Sequence, residues 1–141
     1  MAILETVKEH FADNIQDVVI VNPKRVYIEI KPDYLRTASE YLFKQLELRF
    51  AIATGIDEKD YMEILYHFSY DKEGVFISLK VKLDKKKPVV DTIADIITGA
   101  KWIEREMHEL LGIEFTGNDD MRFLLLSPDY KGRQFPLRKN V

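Results

Sequence analysis

Met62-Glu-Ile-Leu-Tyr-His-Phe-Ser-Tyr70 and Val75-Phe-Ile-Ser-Leu-Lys-Val-Lys-Leu83 are stretches of equal length, separated by Asp71-Lys-Glu-Gly74. In each stretch apolar residues occupy every second position, which is typical of a strand with one buried face. Gly74 can take a positive φ in the tight turn between the two. The sequence therefore predicts a long antiparallel hairpin at the centre of the fold.

A shorter hairpin is predicted upstream of the central one. The β-branched runs Val18–Val21 and Val26–Ile30 flank the turn signal Asn22-Pro-Lys-Arg25. Before them, residues 1–11 place apolar side chains on one face of a short helix. The sequence thus begins with a helix and a hairpin.

A second helix is predicted between the two hairpins. It begins at Pro32-Asp33, with Asp33 as the N-cap, and its apolar spacing continues to about Phe50. A short strand over residues 50–54 follows it and ends at Gly55.

The region after the central hairpin is predicted to be mainly helical. Lys85–Lys87 indicates a solvated turn, and Asp91 or Thr92 can cap a short helix that ends before Gly99. A longer helix follows over residues 100–111, with Gly112 as its C-cap. Its inner side is predicted to carry Ile103, Met107, Leu110 and Trp102. From residue 113 onward, glycines, prolines and acidic residues indicate irregular chain.

Composition describes one globular domain and limits its chemistry. The chain has 141 residues, 46% of them hydrophobic and 32% charged, which is ordinary for a folded domain. It has no cysteine, which excludes a disulfide, a thiolate nucleophile and a cysteine-ligated cluster within this chain. The net charge of −3 gives no general attraction to nucleic acid. No apolar run approaches a membrane span, so we expect a cytoplasmic location.

Two possible metal motifs fail on spacing. His108-Glu109 resembles the start of a zinc-protease helix, but the second histidine of that motif would fall at position 112, which is glycine. Asn118-Asp119-Asp120 lacks the ligand spacing of a calcium loop and is better interpreted as a turn. We therefore predict no catalytic, cofactor-binding or metal-binding residue. A stand-alone hydrolase is disfavoured because no nucleophile–base pair stands at a recognisable spacing.

Charged and ionisable residues crowd the helix predicted over 100–111. One interpretation is a solvated helix face, in which opposite charges three or four residues apart contribute about 0.2–0.5 kcal/mol per pair. The other is a surface that binds a partner, which the sequence favours because the tail after it is also charged. The predicted interface residues of this helix are Glu104, Arg105, Glu106, His108 and Glu109.

The C-terminal residues 129–141 have the composition of a docking segment. They carry four basic side chains against Asp129 alone, interrupted by apolar residues that could serve as anchors. We therefore predict an α+β domain over residues 1–128 and a basic strap over 129–141. The predicted interface residues of the strap are Arg133, Phe135, Pro136, Leu137, Arg138 and Lys139.

A longer pattern joins the charged helix to the tail. Glu104-Arg105-Glu106 opens it, Glu109 and Leu110-Leu111 continue it, and Arg122 and the ending Pro136-Leu137-Arg138-Lys139 complete it. In this order and spacing the residues resemble the 30-kDa-type subunit of respiratory complex I. They also resemble the counterpart subunit of energy-converting, membrane-bound nickel–iron hydrogenases. Arg122 joins the predicted interface residues on this basis.

The chain departs from the family pattern at three positions. Asn118 replaces a basic residue, Tyr130 replaces an aliphatic one, and Phe123 stands where members from complex I often repeat an arginine. The run Gly-Ile-Glu-Phe-Thr-Gly-Asn over residues 112–118 is more similar to the hydrogenase branch.

The resemblance implies a fold and a role. The fold is a single α+β domain with a mixed, mainly antiparallel sheet, a long central hairpin, covering helices and an irregular C-terminal tail. The role is a non-catalytic assembly subunit that holds no cofactor. It docks on the large catalytic and small iron–sulfur subunits, whose iron–sulfur clusters and nickel–iron centre carry the electrons. This places the chain on the cytoplasmic face of the membrane, in the hydrophilic arm of an ion-pumping hydrogenase.

Two alternatives remain. The first is the equivalent subunit of complex I proper, an NADH- or other donor:quinone oxidoreductase. The second is a stand-alone protein- or nucleic-acid-binding module, which the basic tail permits although the chain is acidic overall.

Overall fold

A computed structural model describes residues 2–118 and 137–138. Within them, a five-stranded sheet has the order β1-β2-β5-β4-β3, and β6 and β7 form a separate parallel pair. None of the described helices is both long and apolar enough to cross a bilayer. The strands are β1 (Ile15–Asn22), β2 (Arg25–Ile30), β3 (Arg49–Asp57), β4 (Met62–Tyr70), β5 (Val75–Leu83), β6 (Val89–Asp91) and β7 (Glu114–Thr116). The helices are α1 (Ala2–Phe11), α2 (Leu35–Glu40) and α3 (Ala100–Leu111).

Both predicted hairpins are present. β4 and β5 pair antiparallel from Met62↔Leu83 to Tyr70↔Val75 without a break in register, and Gly74 adopts a φ of 66° in the turn. β1 and β2 also pair antiparallel. β2 joins β5 in the parallel direction, which makes the sheet mixed. The predicted α+β class, with its mainly antiparallel sheet, is confirmed.

One face of the sheet carries the hydrophobic core. Alternate residues of β2, β4 and β5 enter it because side chains along a strand point to opposite faces. The apolar faces of α1, α2 and α3 contribute to the same cluster, so the helices cover this face. The largest fully buried side chains include Phe11, Leu42, Tyr66, Phe68 and Leu79.

The second helix is shorter than the sequence predicted. A 3-10 turn over Pro32–Tyr34 precedes α2, and Asp33 makes no side-chain cap bond. A π-helical turn over Tyr41–Gln45 ends the helix, and Glu47 then takes a left-handed φ of 58°. The apolar spacing continues past this point, but residues from Arg49 pair with β4 instead, which extends β3 well beyond the predicted strand.

Three other local predictions are wrong. Residues 114–116, which were expected to be irregular, form β7 and pair with β6. Residues 92–98 form turns and no regular helix, because the bonds of Ile96 and Ile97 to the carbonyl of Ile93 close a single turn. Trp102 lies on the outer side of α3 and is half exposed. The helix itself and its Gly112 cap, at a φ of 79°, are as predicted.

Gly55 lets α3 approach β3 closely. A Cβ added to Gly55 would lie 2.6 Å from Cδ1 of Leu111 and 3.3 Å from the sulfur of Met107. We expect Gly55→Ala to lower the free energy of unfolding by about 1–3 kcal/mol through overpacking, measured by urea denaturation. Gly99→Ala is the matched control, since nothing lies within 4 Å of its added Cβ and its φ is −62°. Equal stability of the two variants would show that Leu111 moves aside freely.

Candidate protein interface

The side chain of Glu104, on α3, forms hydrogen bonds with the turn after β6 and with a residue just after β7. It is fully buried, and its carboxylate accepts bonds from the hydroxyl of Thr92, the backbone N–H of Ile93 at 2.9 Å and the side-chain amide of Asn118 at 3.0 Å. Thr92 also accepts a bond from the N–H of Ala94. One carboxylate therefore joins α3 to the turn after β6 and to the end of β7.

The surroundings of Glu104 oppose its charge. Burial raises the pKa of the Glu104 carboxyl above its ordinary value of 4.5, while the three donors partly offset this effect. Tyr66 is fully buried near the same carboxylate, and burial together with the Glu104 charge raises the pKa of its phenol well above 10.0. This region is therefore a polar cluster inside an apolar core.

Two further charged residues of α3 are also buried. Arg105 and Glu109 are each 3% exposed, and the Arg105 guanidinium lies 4.5 Å from the centre of the Trp102 ring. Arg105 and Glu109 each have at least one further interaction. With Glu104, they belong to the interior of their own chain. That these residues contribute to an interface stays a prediction. Any effect on a partner would depend on how they position α3.

The outer side of α3 carries the remaining predicted residues. Glu106 is exposed, and the ring nitrogen Nδ1 of His108 lies 2.9 Å from the carbonyl oxygen of Ile113 and 4.0 Å from the carboxylate of Glu114. Beside Glu106, a groove of about 240 Å³ runs between α3 and the edge of β3. Its apolar lining includes Ile52, Ile103, Met107, Leu110 and Leu137.

The two described residues near the C-terminus, Leu137 and Arg138, both bond to the folded body. The N–H of Leu137 donates to the carbonyl of Leu110 at 2.9 Å, which satisfies one carbonyl of the last turn of α3. The Arg138 guanidinium donates to the carbonyl of Lys85 at 2.6 Å. The other predicted strap residues, Arg133, Phe135, Pro136 and Lys139, lie outside the described residues, as does Arg122. The division at residue 128 stays a prediction.

Lys85 occupies a different environment from the solvated turn that the sequence predicted. Its ammonium lies 2.8 Å from the carboxylate of Asp57, which is almost fully buried, and it also donates to the carbonyl of Glu58. The pair could not be predicted from the sequence because 28 residues separate its members along the chain. No local pattern joins them.

Arg36 makes another set of contacts that the sequence did not indicate. It makes two bonds to the Asp95 carboxylate, at 2.7 and 2.8 Å, and a third to the carbonyl of Thr92 at 2.6 Å. α2 is thereby joined to the turn that Glu104 binds. Between residues 2 and 118, and at 137–138, no cluster of three or more histidine, aspartate or glutamate side chains could hold a metal ion.

Comparison with known protein families identifies the family of this chain. Residues 28–141 match the family model described as "Respiratory-chain NADH dehydrogenase, 30 Kd subunit". This match covers well over half of the sequence. The chain belongs to this family. The resemblance inferred from Glu104-Arg105-Glu106 and the residues after it is thus confirmed.

Curated members of the 30 Kd subunit family show how far the similarity extends. A subunit of the F(420)H(2) dehydrogenase of Methanosarcina mazei is 29% identical over 98% of this chain and 89% of its own length. A subunit of the NADH-quinone oxidoreductase of Ruegeria pomeroyi is 32% identical over 80% of this chain. The match spans only 58% of that longer relative. These relatives belong to multisubunit respiratory complexes.

Two solved structures share the family fold. One belongs to the membrane-bound sulfane sulfur reductase, described as an archaeal respiratory membrane complex, with a TM-score of 0.74 and 22% identity. It covers 90% of this chain and 77% of its own. The other is a trypsin-resistant fragment of Nqo5, with a TM-score of 0.71 and 18% identity, covering 85% and 99% respectively. At these identities the likeness concerns the fold.

Tyr66 offers a test of the polar cluster in this member of the 30 Kd subunit family. Among the described residues, its buried hydroxyl has no hydrogen-bond partner. An unpaired hydroxyl in the core is costly, so we expect Tyr66→Phe to raise the free energy of unfolding by about 1 kcal/mol. Urea denaturation near neutral pH measures the change. A loss of comparable size would mean instead that the hydroxyl bonds to an ordered water.

Proposed function

We propose that this chain is a non-catalytic assembly subunit of a membrane-bound, complex I-like respiratory complex of the energy-converting hydrogenase kind. It docks on the large catalytic and small iron–sulfur subunits of the hydrophilic arm. The observation that carries this proposal is the family match over residues 28–141. In this role the chain lies at the cytoplasmic face of the membrane and reaches the bilayer only through its partners.

The surface beside α3 suits such a role. The groove between α3 and β3 is lined mainly by apolar side chains and bordered by the carboxylate of Glu106. An apolar centre with charged residues at its rim is the usual composition of a protein interface. The iron–sulfur clusters and the nickel–iron centre would belong to the partner subunits, since this chain has no cysteine to bind either one.

A second candidate is the corresponding subunit of a dehydrogenase complex, such as an NADH- or other donor:quinone oxidoreductase. The relative from Methanosarcina mazei favours it, because the match extends over almost the whole of both chains. The run over residues 112–118 favours the hydrogenase kind instead. Both candidates assign the chain the same structural role and differ in the catalytic partner.

Purification of the complex tests both candidates. The full chain would carry an affinity tag in its native host, and the complex would be purified from detergent-solubilised membranes. Mass spectrometry then identifies the partner subunits, and metal analysis measures nickel and iron. Nickel together with iron supports the hydrogenase kind, whereas iron without nickel supports the dehydrogenase kind. Recovery of the chain alone, or of nucleic acid that nuclease removes, contradicts the proposed function and leaves a stand-alone binding module.

A further inference from the structure

No described helix covers the face of the sheet opposite the core, which has a continuous row of side chains across it. We call it the open face. The strand registers align Val19 of β1 with Tyr27 of β2, Ser78 of β5, His67 of β4 and Ile52 of β3. All five side chains therefore lie on the same face of the sheet, and Ile52, on the edge strand β3, also borders the groove beside α3. The two outer members of the row, Val19 and Ile52, are exposed apolar residues.

The small residue at the centre of this row creates a cavity. Ser78 forms the floor, and its hydroxyl oxygen lies 2.6 Å from Nδ1 of His67. Tyr27, Phe76 and Ile52 contribute walls around it, and the cavity measures about 280 Å³. We call this cavity the socket. Its walls are mainly apolar, and its floor can form hydrogen bonds.

One charge at the rim of the socket is not balanced. The guanidinium of Arg25 lies 5.9 Å from the centre of the Phe76 ring, and no carboxylate among the described residues pairs with it. The other cations on this face are balanced: Lys80 lies 3.8 Å from Glu63, and Lys82 lies 3.4 Å from Glu29. The side chain that enters the socket should therefore have a carboxylate close to it.

We propose that the socket receives an aromatic or long apolar side chain from a neighbouring subunit of the same complex, with a carboxylate beside it that pairs with Arg25. This inference rests on the proposed function, since it identifies a surface through which the chain docks. At about 280 Å³ the socket lies at the lower end of the usual range for small-molecule sites, about 300–1,000 Å³, and it has room for a single anchoring side chain.

A second copy of this chain fits the socket poorly. Pairs of identical chains usually associate about a two-fold axis, which places the same patch of each chain against the other. An axis through the socket would set one depression against another and leave both unfilled. The exposed ring of Trp102 could act as an anchor, but it lies on α3, among the helices that cover the opposite face.

Two pairs of adjacent residues allow a matched test. Val19 is 45% exposed and lies on the open face, whereas Ile20 is 57% exposed and aligns with Val26 of the core face. Arg25 lies at the socket, whereas the ammonium of its neighbour Lys24 donates to the carbonyl of Glu73. The test variants are Val19→Asp and Arg25→Glu, and their controls are Ile20→Asp and Lys24→Glu.

Each tagged full-length variant would be expressed in the native host, and the partner subunits recovered with it would be quantified. We expect Val19→Asp and Arg25→Glu each to reduce recovery at least about tenfold, while both controls match the parent. Parental recovery with either test variant overturns the proposal. An equal loss with Ile20→Asp also overturns it, because the interface would then include the edge of β1.

Two other outcomes of these experiments distinguish failure of the proposed function from failure of the socket proposal. If the parent chain itself recovers no partner subunit, the proposed function fails before the socket is tested. If the purified parent chain sediments as a dimer that Arg25→Glu dissociates, a second copy occupies the socket and the inference is wrong. Thermal unfolding of each variant establishes that the compared chains are equally folded.

Discussion

Glu104→Leu should lower the free energy of unfolding by about 3–5 kcal/mol, because it removes a buried acceptor of three hydrogen bonds. The donors are the hydroxyl of Thr92, the N–H of Ile93 and the side-chain amide of Asn118. Leucine fills much of the same volume, so the loss measures the polar contacts more than packing. Urea denaturation at neutral pH gives the value directly.

Glu104→Gln is the matched control and should cost less than about 1 kcal/mol. The glutamine oxygen can accept from the N–H of Ile93, while its amide group donates to the hydroxyl oxygen of Thr92. Asn118 can turn its amide so that its oxygen accepts from glutamine. A loss as large as that of the leucine variant would show that the negative charge itself is required.

Glu104→Gln should also change how the stability of the protein depends on pH. The native state keeps the Glu104 proton at pH values where the unfolded chain has released it, because burial raises the pKa of Glu104 in the folded chain. Stability from this group is therefore lost as the pH rises above 4.5 through the folded-state pKa. We expect the Gln variant to gain stability relative to the parent over this interval. A Gln variant that loses stability relative to the parent as the pH rises would contradict this expectation.

The hairpins could be predicted because their signals are local. Alternation along 62–70 and 75–83 fixes which face of each strand is buried, and the turn at Gly74 fixes the register. The helix over 100–111 was also clear, since its apolar spacing and its Gly112 cap agree. The end of α2 was not, because pairing between β3 and β4 replaces a helical pattern that continues past Gln45.

The burial of charged residues was the feature least predictable from the sequence. Glu104 and Glu106 look alike in the sequence, yet one is fully buried and the other is exposed. The difference depends on donors at Thr92 and Ile93, whose position relative to α3 follows from the folded chain and not from spacing. The same reasoning explains why the pair between Asp57 and Lys85 was missed.

The pair between Asp57 and Lys85 gives the second prediction of a large effect on stability. We expect Lys85→Met to lower the free energy of unfolding by about 3–5 kcal/mol, since the Asp57 carboxylate stays almost fully buried without the ammonium that lies 2.8 Å from it. Methionine retains most of the apolar stem, so packing changes little. The backbone carbonyl that accepts from Arg138 also remains. Lys86→Met, on the exposed neighbour, should change stability by no more than about 0.5 kcal/mol.

A double variant separates the cost of burying the Asp57 charge without Lys85 from the value of the pair. In Asp57→Asn with Lys85→Met both charges are absent, and we expect it to recover at least half of the stability lost in Lys85→Met, because replacing both members of a buried pair is far less costly than removing one. Urea denaturation of the parent and the variants completes the cycle. If the double variant is no more stable than Lys85→Met, the lysine acts mainly through its bond to the carbonyl of Glu58. The corner between β3 and β4 would then be held by that bond, and charge pairing would contribute little.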